Sequence, residues 1–331
     1  MQNISETRTN ELLDNCKGKI VAVVGDVMLD RYFWGNVSRV SPEAPVPVID
    51  IENETFHLGG AANVANNLKS LGIEPLLCGV IGYDNSGKSF MEIAKSGGIN
   101  IEGLYTDKER PTTVKTRIIG NNQQIARLDR ETRELLSEEG EIYILSSLFN
   151  YPNLSGIIFQ DYNKGAISAR LIANIIKNAM LQNIPVFVDP KLENFFQYKG
   201  VTVFKPNRKE ARQALGVSTN SKYDLLAIGM TLLENLECEN VLLTLGADGM
   251  MLFEANGDVS SVPTIARHVA DVSGAGDTAI ATLSAMVAGG GTIREASFLA
   301  NYAAGVVCEE PGIVSITIDN LLKSVRNNSG E

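Results

Sequence analysis

The chain is poor in the residues from which metal and redox sites are built. It has two histidines, His57 and His268, and four cysteines, Cys16, Cys78, Cys238 and Cys308, with no CxxC pair among them. No zinc or redox motif is therefore legible. The cysteines are expected to behave as small buried apolar residues and the histidines as structural ones. Positive charge is also short: 29 Lys and Arg against 39 Asp and Glu leave a formal charge of −10. Sequence-independent nucleic-acid binding needs a basic face to displace counterions, so no nucleic-acid partner is expected. Any anionic substrate must be held by a local cluster of cations, because the overall field repels it. No apolar stretch approaches the length of a membrane span, and residues 1–19 lack the apolar core of a signal peptide. No membrane partner and a cytoplasmic location are the expectations.

What is present reads as an α/β protein, and 331 residues suffice for one large domain with a sizeable core. The β-branched run at 20–24 ends in Gly25-Asp26 and reads as a buried strand, the first of a parallel sheet. Strand patterns at 75–81, 156–159, 185–188, 201–204 and 240–245 follow, with helical spacing at 61–71, 86–96, 168–182, 207–215 and 223–235. That alternation implies a mostly parallel sheet covered on both faces. Two stretches break the rhythm. Residues 31–56 contain Pro42, Pro45 and Pro47 among alternating apolar residues, and 112–129 set Val114, Thr116 and Ile118 against Lys115 and Arg117. Structureless loops of that length are uncommon in compact domains, so both are read as strands of a small inserted lid. Helices are expected at 279–288 and 293–308, and residues 327–331 as a frayed tail.

The densest chemical signal is Asp271-Val272-Ser273-Gly274-Ala275-Gly276-Asp277-Thr278, placed just before a helix of small residues. Glycines let consecutive backbone N–H groups converge, and the helix adds the positive end of its dipole, which together make an anion hole. An Asp at its mouth repels phosphate and is better explained as a base for a hydroxyl that attacks phosphorus. The same Asp also suits a helix cap. A dinucleotide site is the other reading of the glycine string, but it needs that string directly after the first strand, where Gly25-Asp26-Val27-Met28 stands instead.

This string resembles the second signature of the ribokinase-like (PfkB) carbohydrate kinases. Gly59-Gly60-Ala61-Ala62-Asn63-Val64-Ala65 resembles their first, Asn207-Arg208-Lys209-Glu210 their NxxE element, and Thr244-Leu245-Gly246-Ala247-Asp248-Gly249 their nucleotide-side turn. The four occur in the family's order and span almost the whole chain. Further stretches, among them residues 25–32, 38–48, 122–129, Asp161-Tyr162-Asn163-Lys164-Gly165 and Asp189-Pro190-Lys191, are similar to the kinase half of the bacterial heptose-phosphate kinase/adenylyltransferases. Two positions depart from the pattern: Ser273 stands where Thr is usual, and His57-Leu58 precedes the Gly pair where a basic residue is frequent.

The resemblance implies a ribokinase-like kinase domain over residues 1–331, with lid insertions near 31–56 and 112–129. It implies a stand-alone kinase or one half of a longer protein, because adenylyltransferase sequence is absent. The implied reaction is ATP-dependent phosphorylation of the C1 hydroxyl of D-glycero-β-D-manno-heptose 7-phosphate, on the way to ADP-heptose for lipopolysaccharide. Another sugar, sugar phosphate or nucleoside is the alternative acceptor, and a non-catalytic sugar binder the alternative class.

In those terms Asp277 is the base and the backbone of Gly274, Ala275 and Gly276 the anion hole. Asp30 accepts from sugar hydroxyls, Gly59 and Gly60 admit the sugar, and Asn63 offers it a donor and an acceptor. Asn207 and Glu210 orient Mg²⁺ and the ATP phosphates through waters; both also fit a helix capping box. Thr244, Gly246 and Gly249 line the nucleotide cleft, and Asn301 the adenine pocket. Lys164, Arg127 and Lys191 are anion contacts, Lys191 on the nucleotide side. Dependence on a monovalent cation stays open. The exposed lid edges and the resemblance both lead to an expected homodimer through the lid.

Overall fold

Ile20–Gly25 (β1) offers no polar side chain to water, and in the computed structural model it lies between two other parallel strands. The structure describes residues 4–217, 225–264, 271–310 and 312–329. Glu6–Cys16 (α1) precedes β1, and Val27–Val40 (β2), Pro47–Gly60 (β3), Ala61–Ser70 (α2), Glu74–Gly82 (β4) and Asn85–Ser96 (α3) follow. Next come Asn100–Asp107 (β5), Val114–Gly120 (β6), Gln123–Arg130 (β7), Glu138–Phe149 (α4), Leu154–Gln160 (β8) and Ala169–Leu181 (α5). Val186–Asp189 (β9), Val203–Phe204 (β10), Arg208–Ala214 (α6), Leu225–Leu236 (α7) and Asn240–Thr244 (β11) continue the alternation. Met250–Glu254 (β12), Val259–Val262 (β13), Ala275–Ala288 (α8), Ile293–Cys308 (α9) and Ile318–Ser329 (α10) complete it.

Nine strands form the main sheet in the order β13-β12-β11-β10-β9-β8-β1-β4-β5, parallel except at β12 and β13. Successive side chains of a strand point to opposite faces, so the apolar runs feed two layers at once. Val21 and Val23 pack with Leu12 of α1, Leu68 of α2, Leu283 of α8 and Leu299 of α9. Ala22 and Val24 pack with Ile144 of α4, Ile172 of α5, Ala211 of α6 and Leu232 of α7. The expected α/β class, a mostly parallel sheet covered on both faces, is what the structure has. No helix among the described residues is long and apolar enough to cross a membrane.

The two stretches that break the alternation carry β2, β3, β6 and β7, a second sheet in the order β3-β2-β6-β7. It begins earlier than the prolines indicated, at Val27, and runs on to Gly60. Gly60 can end it because its φ is +60°, and a Cβ there would stand 2.3 Å from the Asp26 carbonyl.

Several elements went unread. α4 exposes Ile142 and Tyr143 to solvent, which blurs its helical period. β5, β12 and β13 were also missed. Asn327 and Asn328, expected in a frayed tail, belong instead to α10, which buries Leu321 and Val325 and ties Arg326 to Glu6 of α1 at 2.6 Å. That support comes from the far end of the chain, so no local pattern announces it. The first residues of the helix expected at 223–235, Tyr223 included, and His268 lie outside the described residues.

The sheet reverses its winding between β1 and β8: β4 and β5 continue on one side, β9 to β11 on the other. Loops at the carboxyl ends of the strands flanking such a switch point form a crevice. Asp26, at the end of β1 and 2% exposed, fixes one of them. Its carboxylate accepts the backbone N–H groups of Tyr162 (2.8 Å), Lys164 (3.1 Å) and Ala166 (3.0 Å), which clamps the turn after β8. Asp161 clamps the same turn from the other side through Asn163, Asn194 and Tyr198. Asp26→Ala leaves three backbone donors, one buried and two half-buried, without an acceptor and is expected to cost about 3 kcal/mol, a lowered urea midpoint at unchanged m-value. An unchanged midpoint would show that this turn stands without the clamp.

Candidate active site

Gly274 takes the left-handed conformation (φ +82°) and starts α8, so Ala275, Gly276 and Asp277 form its first turn. No side chain caps this N-terminus among the described residues. The Ala275 N–H donates to the Val272 carbonyl at 3.3 Å; the other N–H groups of this turn and the helix dipole can serve as the expected anion hole. Asp277 is not the cap. Its side chain is turned inward, 6% exposed, with Oδ2 accepting from Asn63 Nδ2 (2.8 Å). Oδ1 accepts from Tyr162 Oη (2.8 Å) and Gln160 Nε2 (3.0 Å).

Burial pushes the Asp277 carboxyl up to about 6. The Asn63 donor opposes that shift, Asp189 adds to it, and Tyr162 and Lys205 oppose it. A carboxyl poised in this range can be ionised at neutral pH yet hold a proton once it takes one. Lys205 is 2% exposed and pairs with Asp189 at 3.0 Å. A Cβ on Gly276 would lie 3.7 Å from Lys205 Nζ, so this ammonium borders the anion hole.

Thr244, Gly246, Gly249 and Asn301 converge as expected. With Ala275 and Gly276 they line a mostly apolar cleft of about 290 Å³ that runs into the anion hole. The Asn301 amide donates to the Pro263 carbonyl (2.8 Å), which holds β13 against α9 at the cleft wall. Asn207 and Glu210 form the full capping box of α6: Glu210 N–H donates to Asn207 Oδ1 (2.8 Å), and Asn207 N–H to Glu210 Oε2 (2.9 Å). The other Glu210 oxygen takes Lys191, whose ammonium also lies 5.6 Å from the centre of the Tyr162 ring. Burial works against the Lys191 charge, but Asp189 and Glu210 outweigh it and hold the group above its ordinary value.

On the sugar side, Asp30 is buried and one of its oxygens is taken by Arg117 of β6. Gly59 is obligatory beside it, since a Cβ would stand 2.2 Å from Asp30 Oδ2. Asn63 gives one of its two amide N–H groups to Asp277, which leaves the other N–H and the carbonyl for a ligand. The two cations expected at the phosphate end each have a carboxylate partner. Arg127 grips Asp129 through two 3.0 Å bonds on an exposed part of β7, and Lys164 pairs with Glu131 at 2.6 Å. Lys115, across the sheet from Asp129, has no carboxylate within ion-pair distance among the described residues and stands 5.8 Å from the Tyr162 ring centre. Burial lowers its ammonium below the ordinary range, with Asp30 acting the other way.

Gln160, Tyr162, Lys205, Lys115 and Arg117 are the site residues that no role was read for in the sequence. Only weak signals marked them: a Gln closing an apolar strand, a Tyr inside the 161–165 turn, a Lys two residues before Asn207. Lys115 and Arg117 counted only as the polar half of an alternation.

A family model described as the pfkB family carbohydrate kinase matches residues 19–319. The chain is 42% identical over 306 residues to the "Bifunctional protein HldE" of Desulfatibacillum aliphaticivorans and 40% identical over 304 residues to that of Trichlorobacter lovleyi. In each case the match takes in 92% of this chain and 62% of the relative, so the chain spans less than two thirds of those proteins. Among solved structures, phosphofructokinase-2 from Escherichia coli in complex with potassium superposes with a TM-score of 0.76 at 16% identity, over 93% of this chain and 98% of that one. The ribokinase of Arabidopsis thaliana complexed with ribose and ATP gives 0.71 at 19%, over 94% and 99%. With the family model covering nearly the whole chain and an inward-facing Asp at an uncapped helix start, the chain belongs to the pfkB family of carbohydrate kinases, which transfer phosphate to a sugar hydroxyl.

Proposed function

We propose that this protein is an ATP-dependent kinase acting on the C1 hydroxyl of D-glycero-β-D-manno-heptose 7-phosphate. The observation that carries the chemistry is the Asp277 carboxylate, buried and poised near neutrality at the mouth of an uncapped helix N-terminus. The hydroxyl proton passes to Asp277 while the hydroxyl oxygen bonds to the γ-phosphorus of ATP. The bond from that phosphorus to the β-phosphate oxygen breaks, and ADP leaves with the electron pair. The N–H groups at 274–276 and the Lys205 ammonium meet the negative charge that spreads over the moving phosphoryl group. ATP fits the cleft between Gly246 and Asn301, whose end opens on those donors. No cluster of three metal-ligating side chains exists among the described residues. That fits a Mg²⁺ ion held mainly by phosphates and water, with Asn207 and Glu210 at its periphery, where it would neutralise phosphate charge.

Asp277→Asn keeps the shape and hydrogen-bonding volume of the side chain but cannot take the proton. It is expected to lower kcat by about 10²–10⁴-fold with ATP affinity retained, measured by ADP release. In the unmodified enzyme kcat/KM should be lost as pH falls through about 6, because the protonated carboxyl is no longer a base. A tenfold or smaller loss in Asp277→Asn would remove the base assignment.

The substrate reading rests on similarity to the heptose-phosphate kinases and on cations gathered at the sugar end in a chain of net charge −10. Lys115 and Arg117 lie on the sheet face that carries Asp30, as does Arg127, which pairs with Arg117 across the strands. Lys115 is the cation already free of a carboxylate, while Lys164 and Arg127 would have to leave Glu131 and Asp129. Lys115→Ala is expected to raise KM for heptose 7-phosphate about 10–100-fold, the worth of one charge-assisted bond, and to leave KM for ATP within about twofold. Lys164→Ala should act in the same direction but less. Comparing kcat/KM for heptose 7-phosphate, ribose, fructose 6-phosphate and adenosine tests the acceptor: a win for ribose or adenosine overturns the heptose reading and leaves the kinase standing.

The second sheet is proposed as a lid and as the dimer contact. Its other face is buried at the root by Leu29, Leu58 and Val114, but farther out Phe56 is 37% and Leu128 55% exposed. Exposed apolar residues beside free strand edges, with the Arg31–Glu54 pair among them, favour a second copy. Light scattering is expected to give a dimer at micromolar concentration that Leu128→Glu dissociates; a fully active monomeric parent protein removes the proposal.

A further inference from the structure

Each oxygen of an ionised carboxylate has two lone pairs in its plane. At Asp277 the two oxygens are not equally served. Oδ1 takes two donors, Tyr162 Oη at 2.8 Å and Gln160 Nε2 at 3.0 Å, whereas Oδ2 takes one, Asn63 Nδ2 at 2.8 Å. We infer that Tyr162, together with Gln160, is a positioning residue that saturates Oδ1, so that the substrate hydroxyl can reach only Oδ2 and surrenders its proton there. This rests on the reading of Asp277 as the base.

Three features show that the donors are committed to this task. The Gln160 amide points its nitrogen at Asp277 and, at 3.4 Å, at Asp189, although this leaves its own Oε1 buried without a partner. A flipped amide would set that oxygen against two carboxylates, so the orientation is dictated by charge. The Tyr162 hydroxyl is pushed well above its ordinary value by burial, then by Asp277 and Asp189, and so remains a donor throughout the working pH range. Its ring is wedged between the ammonium groups of Lys115 and Lys191, at 5.8 and 5.6 Å from the centre, and its backbone N–H is clamped by Asp26. One side chain thereby ties the second sheet, the turn after β9 and the base to a common position.

The charged groups facing Asp277 are Asp189 at the end of β9, Lys191 after it and Lys205 after β10; Tyr162, Gln160 and Asn63 face it as donors. Tyr162→Phe removes one donor to the ionised form and keeps the ring that the two lysines flank. Loss of a donor destabilises the carboxylate, so its pKa must rise. The acid limb of kcat/KM should then move to higher pH by about one unit, the equivalent of one hydrogen bond to a charged group. At pH 6 kcat should fall about fivefold, with a much smaller loss at pH 8 and KM for ATP unchanged.

A readout that needs no substrate separates this from the identity of the sugar. The protonated-carboxyl infrared band that titrates near pH 6 and vanishes in Asp277→Asn is expected to shift its midpoint upward in Tyr162→Phe, and likewise in Gln160→Met. A midpoint that stays in place in both variants overturns the inference, whatever the activity does. A midpoint that moves while no sugar is phosphorylated supports the positioning role and sinks the kinase reading instead.

Discussion

A carboxylate that must be buried and still carry charge sets the terms for the rest of this molecule. Desolvation pushes the Asp277 carboxyl toward its neutral form, and Asp189 nearby pushes the same way. The fold answers with donors brought from three places: α2 supplies Asn63, β8 supplies Gln160, and the turn after β8 supplies Tyr162. Lys205, from the end of β10, neutralises Asp189. None of these residues is near Asp277 in the chain. They meet because the parallel sheet delivers the carboxyl ends of its strands to one edge, beside the start of α8.

That arrangement also explains the run of carboxylates buried at the crevice. Asp26, Asp161 and Asp189 sit at successive strand ends, and each is matched by backbone N–H groups, hydroxyls or an ammonium. Burying a carboxylate is tolerable when its acceptor capacity is filled, and costly otherwise. The layers above and below the sheet are built mainly from apolar side chains, with Thr9, Asn67, Thr282, Ser284 and Ser297 buried in the helices of one layer and Glu141 in the other.

The second sheet belongs to this account through its two faces. One carries Asp30, Lys115 and Arg117; the other buries Leu29, Leu58 and Val114 at its root and farther out sets the Arg31–Glu54 pair among Phe56 and Leu128. A strand pattern of period two produces both faces at once.

The sequence by itself determined the α/β class, the alternation of most strands and helices, the second sheet and the glycine-rich start of α8. Those features are local: a β-branched run such as 20–24, or glycines at 274 and 276, carry their conformational meaning within a few residues. It also pointed to Asp277 and to Thr244, Gly246 and Gly249, which stand in short motifs, and to Asn301 on α9; the last four line one cleft. The tertiary structure decided what each polar group has left to offer. Asn63 was read as a sugar ligand offering a donor and an acceptor, and one of its two amide N–H groups goes to Asp277; Arg127 and Lys164 were read as anion contacts, and each holds a carboxylate. Conversely Lys115 looked like the polar half of an alternation, yet beside Tyr162 it has no carboxylate within ion-pair distance among the described residues. The Asn63–Asp277 bond joins residues 214 positions apart and leaves no periodicity in the chain, so only the folded geometry shows which partner such a group has found.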